Sequence, residues 1–352
     1  MQTQFSDSSR LEDKIKAEAY RLGFSLCGFT TPESPAGFDR YVNWLSRDLH
    51  AGMAYLDSPH HRTVRQHPDQ LMPGVKSIIS LAWPYNLTQP KPDDAASKAL
   101  IAGYVAGTDY HLLLPAKLDE LAGFIQKETV LNIKAQAFTD SAPILEREIA
   151  SRAGLGWIGK NTNLINPSIG SAFLLAELFI DYPLQPDQPF THDRCGTCQR
   201  CLDACPTACI QNDRTIDSSR CISYLTIENK GSIPEELRSS FGEWMFGCDV
   251  CQTVCPWNHT NQNHLLQSQE FVLSIDQVEN LLSISTSEFT NRFKESALNR
   301  SKLKGFQRNA LIWLGNNGKP SQSQLIETYL QQTTDSDLIE ASQWAISKLS
   351  IL

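Results

Sequence analysis

The chain has 352 residues, ten cysteines, 41% hydrophobic residues and a formal net charge of −8. This content supports a substantial core and two or three domains, which sets disorder aside. The acidic balance excludes a surface coated in basic residues, but it leaves room for a local basic patch.

Met1 to Arg10 is polar, with no apolar signal core and no twin arginine. Ser9-x-x-Glu12 reads as a capping box for a helix carrying Leu11, Ile15, Ala19 and Leu22 before Gly23. Ser25 to Phe29 is apolar and strand-like, which makes Cys27 a small core residue. Ser77 to Trp83 reads as a strand after Pro73-Gly74. Leu112 to Ile125 is helical, Lys134 to Phe138 strand-like, and Ile144 to Ala153 a helix closed by Gly154. Asn163 to Ile180 predicts two strands around the turn Asn166 to Gly170. There is no Walker loop to announce a nucleotide.

Pro183 to Asp193 is rich in proline and aspartate and reads as a linker. A cysteine-rich block runs from Arg194 to about Asn258. The remainder is helical, and Arg308 to Leu314 with Leu338 to Leu349 suggests a HEAT-type helical pair. The predicted class is α+β: an α/β domain over 1–181, a ferredoxin-like domain over 182–258 and a helical HEAT-like region over 259–352. No apolar run reaches the length of a membrane span.

The cysteines carry the chemistry. Cys195-x2-Cys198-x2-Cys201-x3-Cys205-Pro206 has the bacterial ferredoxin spacing, and Cys248-x2-Cys251-x3-Cys255-Pro256 is an incomplete echo. The echo lacks its first cysteine, and Cys221 is the nearest substitute. With crossed fourth ligands, one 4Fe–4S cluster takes Cys195, Cys198, Cys201 and Cys255. The second takes Cys205, Cys221, Cys248 and Cys251, and Cys209 is left packed beside a cluster. Tetrahedral zinc is the alternative for paired C-x2-C elements. The third cysteine at x2 and the C-x3-C-P endings favour cubes. Grouped cysteines of this kind imply a reducing compartment, hence a cytoplasmic protein that moves single electrons.

Three further sets of residues share a pattern with these. They are Asp109-Tyr110-His111, Phe138-Thr-Asp-Ser-Ala-Pro-Ile-Leu-Glu-Arg147 and Ala153-Gly-Leu-Gly-Trp-Ile-Gly-Lys-Asn161. Arg220-Cys-Ile-Ser-Tyr-Leu-Thr226, Gly247-Cys-Asp-Val-Cys-Gln-Thr-Val-Cys-Pro-Trp-Asn258, Arg300-x-Lys302 and Gln307-Arg-Asn-Ala310 complete it. With these motifs the chain resembles the epoxyqueuosine reductases from about residue 10 to about residue 315. The resemblance implies base-off cobalamin in the N-terminal domain, two 4Fe–4S clusters, and reduction of an epoxide in a modified tRNA wobble base to give queuosine. It also implies a monomer supplied by a flavodoxin or ferredoxin. Related corrinoid reductive dehalogenases share the architecture, but their D-x-H-x-x-G signature is missing, so no histidine is marked as a lower cobalt ligand.

By the same resemblance Asp140 is the proton donor, and that role requires a carboxyl pKa raised by burial against the corrin and the base. Its alternative reading is an N-cap for the helix from Ile144. Arg65, Ala102, Asp140, Lys160, Asn161, Leu164, Leu175 and Ser223 match cofactor-contacting positions. Gly103 stands where relatives often carry arginine.

Residues 292–308 contain six basic side chains against Glu295. Arg300, Lys302, Lys304 and Arg308, with Lys230, are the expected tRNA phosphate contacts. Two other functions compete: a dehalogenase of small organohalides and a non-catalytic electron carrier of the ferredoxin class. The absent export signal and the basic stripe argue against the first, and the long N-terminal domain against the second.

Overall fold

The computed structural model describes residues 10–88, 98–259 and 272–351. The capping serine, Ser9, lies outside the described residues. The first helix, α1 (Leu11–Arg21), has Arg10 at its N-cap with no side-chain cap, and Glu12 instead accepts a hydrogen bond from the Gln185 N–H at 2.9 Å.

After α1 the chain forms β1 (Leu26–Thr30), α2 (Phe38–Ser46), α3 (Pro59–Gln66), β2 (Ser77–Pro84) and β3 (Ala99–Ile101). Then come α4 (Tyr110–Thr129), β4 (Ala135–Phe138), α5 (Glu146–Arg152), β5 (Trp157–Ile158), β6 (Leu164–Ile165) and β7 (Phe173–Ile180). The main sheet has the order β1-β2-β7-β4, and every pair is antiparallel. An α/β arrangement around parallel strands is therefore not what forms. β2 is buried continuously from Ser77 to Ala82, because elements cover both faces of the sheet and leave no solvent face to alternate toward. The Asn166 to Gly170 turn is present, closed by two backbone hydrogen bonds, but β6 pairs with β5 rather than with β7.

The proline-rich segment after β7 is fastened rather than loose. Asp187 Oδ2 accepts from the Phe29 N–H at 2.9 Å, and Asp187 Oδ1 meets Lys16 Nζ at 2.6 Å. Phe190 stacks on Trp157.

The second half contributes α6 (Arg200–Asp203), α7 (Ile222–Ile227), α8 (Glu235–Arg238), β8 (Trp244–Phe246), α9 (Val250–Thr253), α10 (Pro256–His259) and β9 (Val272–Leu273). Helices α11 (Ile275–Asn280), α12 (Thr286–Phe293), α13 (Lys302–Asn317), α14 (Ser323–Gln332) and α15 (Ser336–Leu349) follow. A second sheet, β8-β3-β9, takes one strand from each of the three sequence segments. One apolar cluster runs from Ile15 through Phe246 to Leu349. The segments thus share a core, and α13 lies deep in it, buried at every residue from Gly305 to Gly315. Gly315 is required there, since a Cβ would sit 2.5 Å from the Trp344 ring. Among the described residues no helix is long and apolar enough to cross a membrane.

Candidate active site

A cavity of about 840 Å³ opens between the α2–α3 region, the start of α5 and the segments around Arg214, Cys221 and Arg300. Tyr41, Trp44 and Tyr55 give it aromatic walls, while Arg65, Arg147, Arg214 and Arg300 give it cations. Arg65 is buried beneath the Tyr41 ring, 5.2 Å away, with His61 Nδ1 at 2.9 Å. Three lining residues, Asp140, Thr162 and Arg214, adopt left-handed backbone conformations at φ of 55°, 65° and 64°. Side chains with a Cβ resist that conformation, and such strain gathers where a loop must aim a functional group.

Asp140 lies in the turn between β4 and α5. It is not the cap of α5, whose N-cap is Leu145. Its backbone N–H donates to Glu146 Oε1 at 2.6 Å. Its carboxylate Oδ2 accepts from the Tyr110 hydroxyl at 2.8 Å and meets His111 Nε2 at 3.2 Å. His111 Nδ1 lies 2.8 Å from Asp109 Oδ1, and Asp109 also caps α4. The Asp140 side chain is half exposed to the cavity.

Within the chain itself these contacts act against a raised Asp140 pKa. Burial pushes the carboxyl up, but hydrogen bonds from His111 and Tyr110 and the charges of His111 and Arg300 outweigh it, so it titrates below the usual range. The proton-rich groups are its neighbours. The hydrogen bond to Asp140 holds His111 above its ordinary value, helped by Asp109 and opposed by burial. Burial pushes Glu146 up to about 7, with the nearby Asp140 charge adding to it, and burial also drives the enclosed Glu177 well above the carboxylate range.

The cysteines gather as two groups. Burial raises the Cys201 thiol, and its neighbours Cys195, Cys255 and Cys198 raise it further. Burial likewise raises Cys251, with Cys248 and Cys221 adding to it, and Cys248 with Cys221 and Cys205 beside it. Trp157 donates from Nε1 to Cys195 Sγ at 3.4 Å and packs against Phe190 and Trp257. Cys209 Sγ lies 3.4 Å from Cys205 Sγ, within the second group. Among the described residues no three His, Cys, Asp or Glu side chains converge on a single ion.

The cavity brings together Arg65, Asp140, Cys221 and Arg300. Lys160, Asn161, Ala102, Leu164, Leu175 and Ser223 do not line it. Lys160 Nζ instead donates to the Cys198 carbonyl at 2.8 Å, and Asn161 Nδ2 to that of Cys251 at 3.3 Å, so both brace cysteine loops. Ala102 and Leu164 are core residues. At Gly103 a Cβ would meet the Asn86 carbonyl at 1.7 Å, which rules out an arginine on this backbone.

The basic run does not form one stripe. Arg308 is buried and donates to the carbonyls of Leu225, Asn229 and Gly231, so it is structural and removed from any phosphate. Lys304 is held by Asp335 and Asp337, each at 2.7 Å. Arg300 pairs with Glu228 at 2.5 Å at the cavity edge, and Lys230 Nζ reaches the Arg300 carbonyl at 3.4 Å. Lys302 is exposed. Sequence reasoning assigned no role to Tyr110, His111 or Glu146, although all three sit inside motifs quoted above. The spacing Asp109-x-His111, with a carboxylate two residues before a histidine, was the available signal.

Residues 65–141 match the family model described as Epoxyqueuosine reductase QueG, DUF1730, and residues 194–258 match that of a 4Fe-4S double cluster binding domain. The epoxyqueuosine reductase of Cyclobacterium marinum is 44% identical over 301 residues, covering 84% of this chain and 94% of the relative. The chain belongs to the epoxyqueuosine reductase family. The epoxyqueuosine reductase of Pseudomonas aeruginosa is 39% identical over 97% of this chain and 95% of its own. A crystal structure of epoxyqueuosine reductase with an epoxyqueuosine-modified tRNA-Tyr stem loop matches at a TM-score of 0.81 and 29% identity, covering 97% of this chain and 99% of that one. Bacillus subtilis epoxyqueuosine reductase, with its aspartate-bearing catalytic loop swung out of the active site, matches at 0.79 and 28% identity, covering 96% and 99%. This epoxyqueuosine reductase family member carries its double 4Fe–4S domain over 194–258.

Proposed function

We propose that this protein reduces epoxyqueuosine to queuosine in tRNA anticodons, using cobalamin and two 4Fe–4S clusters. One observation carries the reading: Asp140, Arg65 and the cluster ligand Cys221 line the same cavity. An acid, a cofactor-binding cation and an electron source then share one space.

The cavity residues fit a corrin. The ring has a broad apolar face and a rim of amides. Tyr41, Trp44 and Tyr55 offer flat apolar contact, and the buried Arg65 guanidinium offers donors to amide carbonyls. Bound there, cobalamin would supply two-electron chemistry at cobalt, which single-electron clusters cannot. Asp140 holds a proton donor's position at the cavity, with its turn pinned by Glu146. Tyr110 and His111 fix the direction of its carboxylate.

The crossed ligation, Cys195, Cys198, Cys201 and Cys255 against Cys205, Cys221, Cys248 and Cys251, rests on the cysteine spacing within the double 4Fe–4S domain. Lys302 is exposed and available to meet tRNA phosphate, with Arg300 and Lys230 closer to the cavity. The relative bound to a modified stem loop supports tRNA as the substrate. The chain acts in the cytoplasm as a monomer, is supplied by a flavodoxin or ferredoxin, and uses α13 to α15 as a HEAT-like support. A carrier role would leave the cavity without use.

The test is anaerobic purification with cobalamin, with iron counting and ultraviolet–visible spectra, followed by reduction with a low-potential chemical donor and single-turnover reaction with an epoxyqueuosine stem loop. Loss of one oxygen atom from the RNA, read by mass spectrometry, is the expected result. Bound cofactor and full iron with no conversion would sink the reading.

A further inference from the structure

Removing an epoxide oxygen as water breaks two C–O bonds and restores a carbon–carbon double bond. It consumes two electrons and two protons. The electrons enter through the clusters from a low-potential donor. The protons must come through the protein, and Asp140 has a single carboxyl that the His111 and Tyr110 hydrogen bonds favour in its charged form.

We propose that His111, clamped between Asp109 and Asp140, is the residue that loads Asp140 with both protons. This deepens the epoxide-reductase reading and rests on it. The geometry is a chain: Asp109 Oδ1 to His111 Nδ1 at 2.8 Å, then His111 Nε2 to Asp140 Oδ2 at 3.2 Å. Asp109 is fixed by its own backbone role, accepting from the His111 N–H at 3.0 Å at the start of α4. The Tyr110 ring stacks on the imidazole with centroids 4.0 Å apart. His111 therefore has one carboxylate behind it and one in front, a fixed ring plane, and a side chain 25% exposed for reloading from water.

The other neighbours are less suited. The Tyr110 hydroxyl also reaches Oδ2, but burial and the Asp140 charge hold its proton tightly, so it orients the carboxylate. Glu146 meets the Asp140 backbone N–H, so it steadies the turn and lies out of line for proton transfer. Arg300 lines the same cavity and stays protonated throughout the neutral range, so it does not act as the donor. In each transfer the Nε2 proton passes to Asp140 Oδ2 and then to the departing oxygen. Neutral His111 regains a proton from water before the next.

The sign follows from the raised His111 pKa. The loaded form is present at lower pH and is lost as pH rises through that value. The experiment is single-turnover reduction of an epoxyqueuosine stem loop by the holoenzyme over a pH series. His111→Gln should lower the rate by about 100-fold and remove the alkaline fall-off, with iron content and stem-loop affinity retained. Asp109→Asn keeps a capping side chain but removes the anion. It should lower the rate less and shift the fall-off to lower pH. A His111→Gln enzyme with the native rate and profile, or an Asp109→Asn enzyme whose fall-off stays in place, would overturn the proposal. A native enzyme that converts nothing at any pH would overturn this proposal together with the reading beneath it.

Discussion

The cluster segment and the cavity were built from sequence in different ways. The eight cysteines proposed as cluster ligands lie within Cys195 to Cys255, and most of their spacing suits the reach of short turns around a cube. The cavity draws on Tyr41, Arg65, Asp140, Arg214 and Arg300, which meet only because the main sheet, α13 and the cysteine loops share one core. Local ligand chemistry is written in spacing. A site assembled over long sequence distances is not, and there the individual roles of charged residues come from packing.

The largest effect expected separates spacing from proximity within the cluster segment. Cys221→Ser should lose iron from one cluster and abolish turnover, whereas Cys209→Ser should keep full iron. Cys209 sits 3.4 Å from Cys205 Sγ, and a serine there still offers a hydrogen bond to that ligand. Iron counting and electron paramagnetic resonance read both variants. Full iron in Cys221→Ser would reassign the fourth ligand, with Cys209 next in line.

Within the cavity, Asp140→Asn should bind cofactor and stem loop but turn over about 10²–10⁴ more slowly, because an amide cannot pass a proton. Near-native single-turnover rates would mean that water or His111 reaches the oxygen directly, and the Asp140 turn would then be a gate rather than an acid.

Much of this was legible in the chain. The strands at Ser77 to Trp83 and Lys134 to Phe138 carry β-rich runs between turn signals, and both form where expected. What failed was partnership. Nothing local says that β6 pairs back with β5, or that β3 joins strands 145 and 173 residues away. The Asp140 residue was legible through its motif, but its protonation was not. That depends on two donors from α4, and a side chain's pKa is set by whatever packs against it. The basic run misled for the same reason. Charge along a chain does not reveal which side chains turn inward, and Arg308 turns inward to satisfy three backbone carbonyls.

Arg308 gives the next test. Arg308→Ala should lower stability by about 3 kcal/mol, since it leaves buried carbonyls of Leu225, Asn229 and Gly231 without donors. It should leave the salt dependence of tRNA affinity in place. Denaturant midpoints and stem-loop titrations on the same variant would read both. A native midpoint with a flattened salt slope would return Arg308 to the phosphate contacts.

The smallest effect concerns Lys302 and Lys304, two residues apart and equal in charge. Lys302 is exposed, while Lys304 lies between Asp335 and Asp337 at 2.7 Å each. A lysine already neutralised by two carboxylates releases few counterions when RNA arrives, because the local field it adds is small. Lys302→Ala should therefore reduce the magnitude of the log–log salt slope by about 0.7–0.9 of a unit, according to whether the phosphate lies in the loop or the stem. Lys304→Ala should change the slope by much less, because the Lys304 charge is already offset by Asp335 and Asp337. Both should leave single-turnover chemistry on bound RNA within a few-fold of native, since neither lines the cavity. Stem-loop titrations over a salt series decide the matter. Equal slopes for the two variants would show that the carboxylates let Lys304 go when tRNA binds, and the basic run would then work as the stripe its sequence suggests.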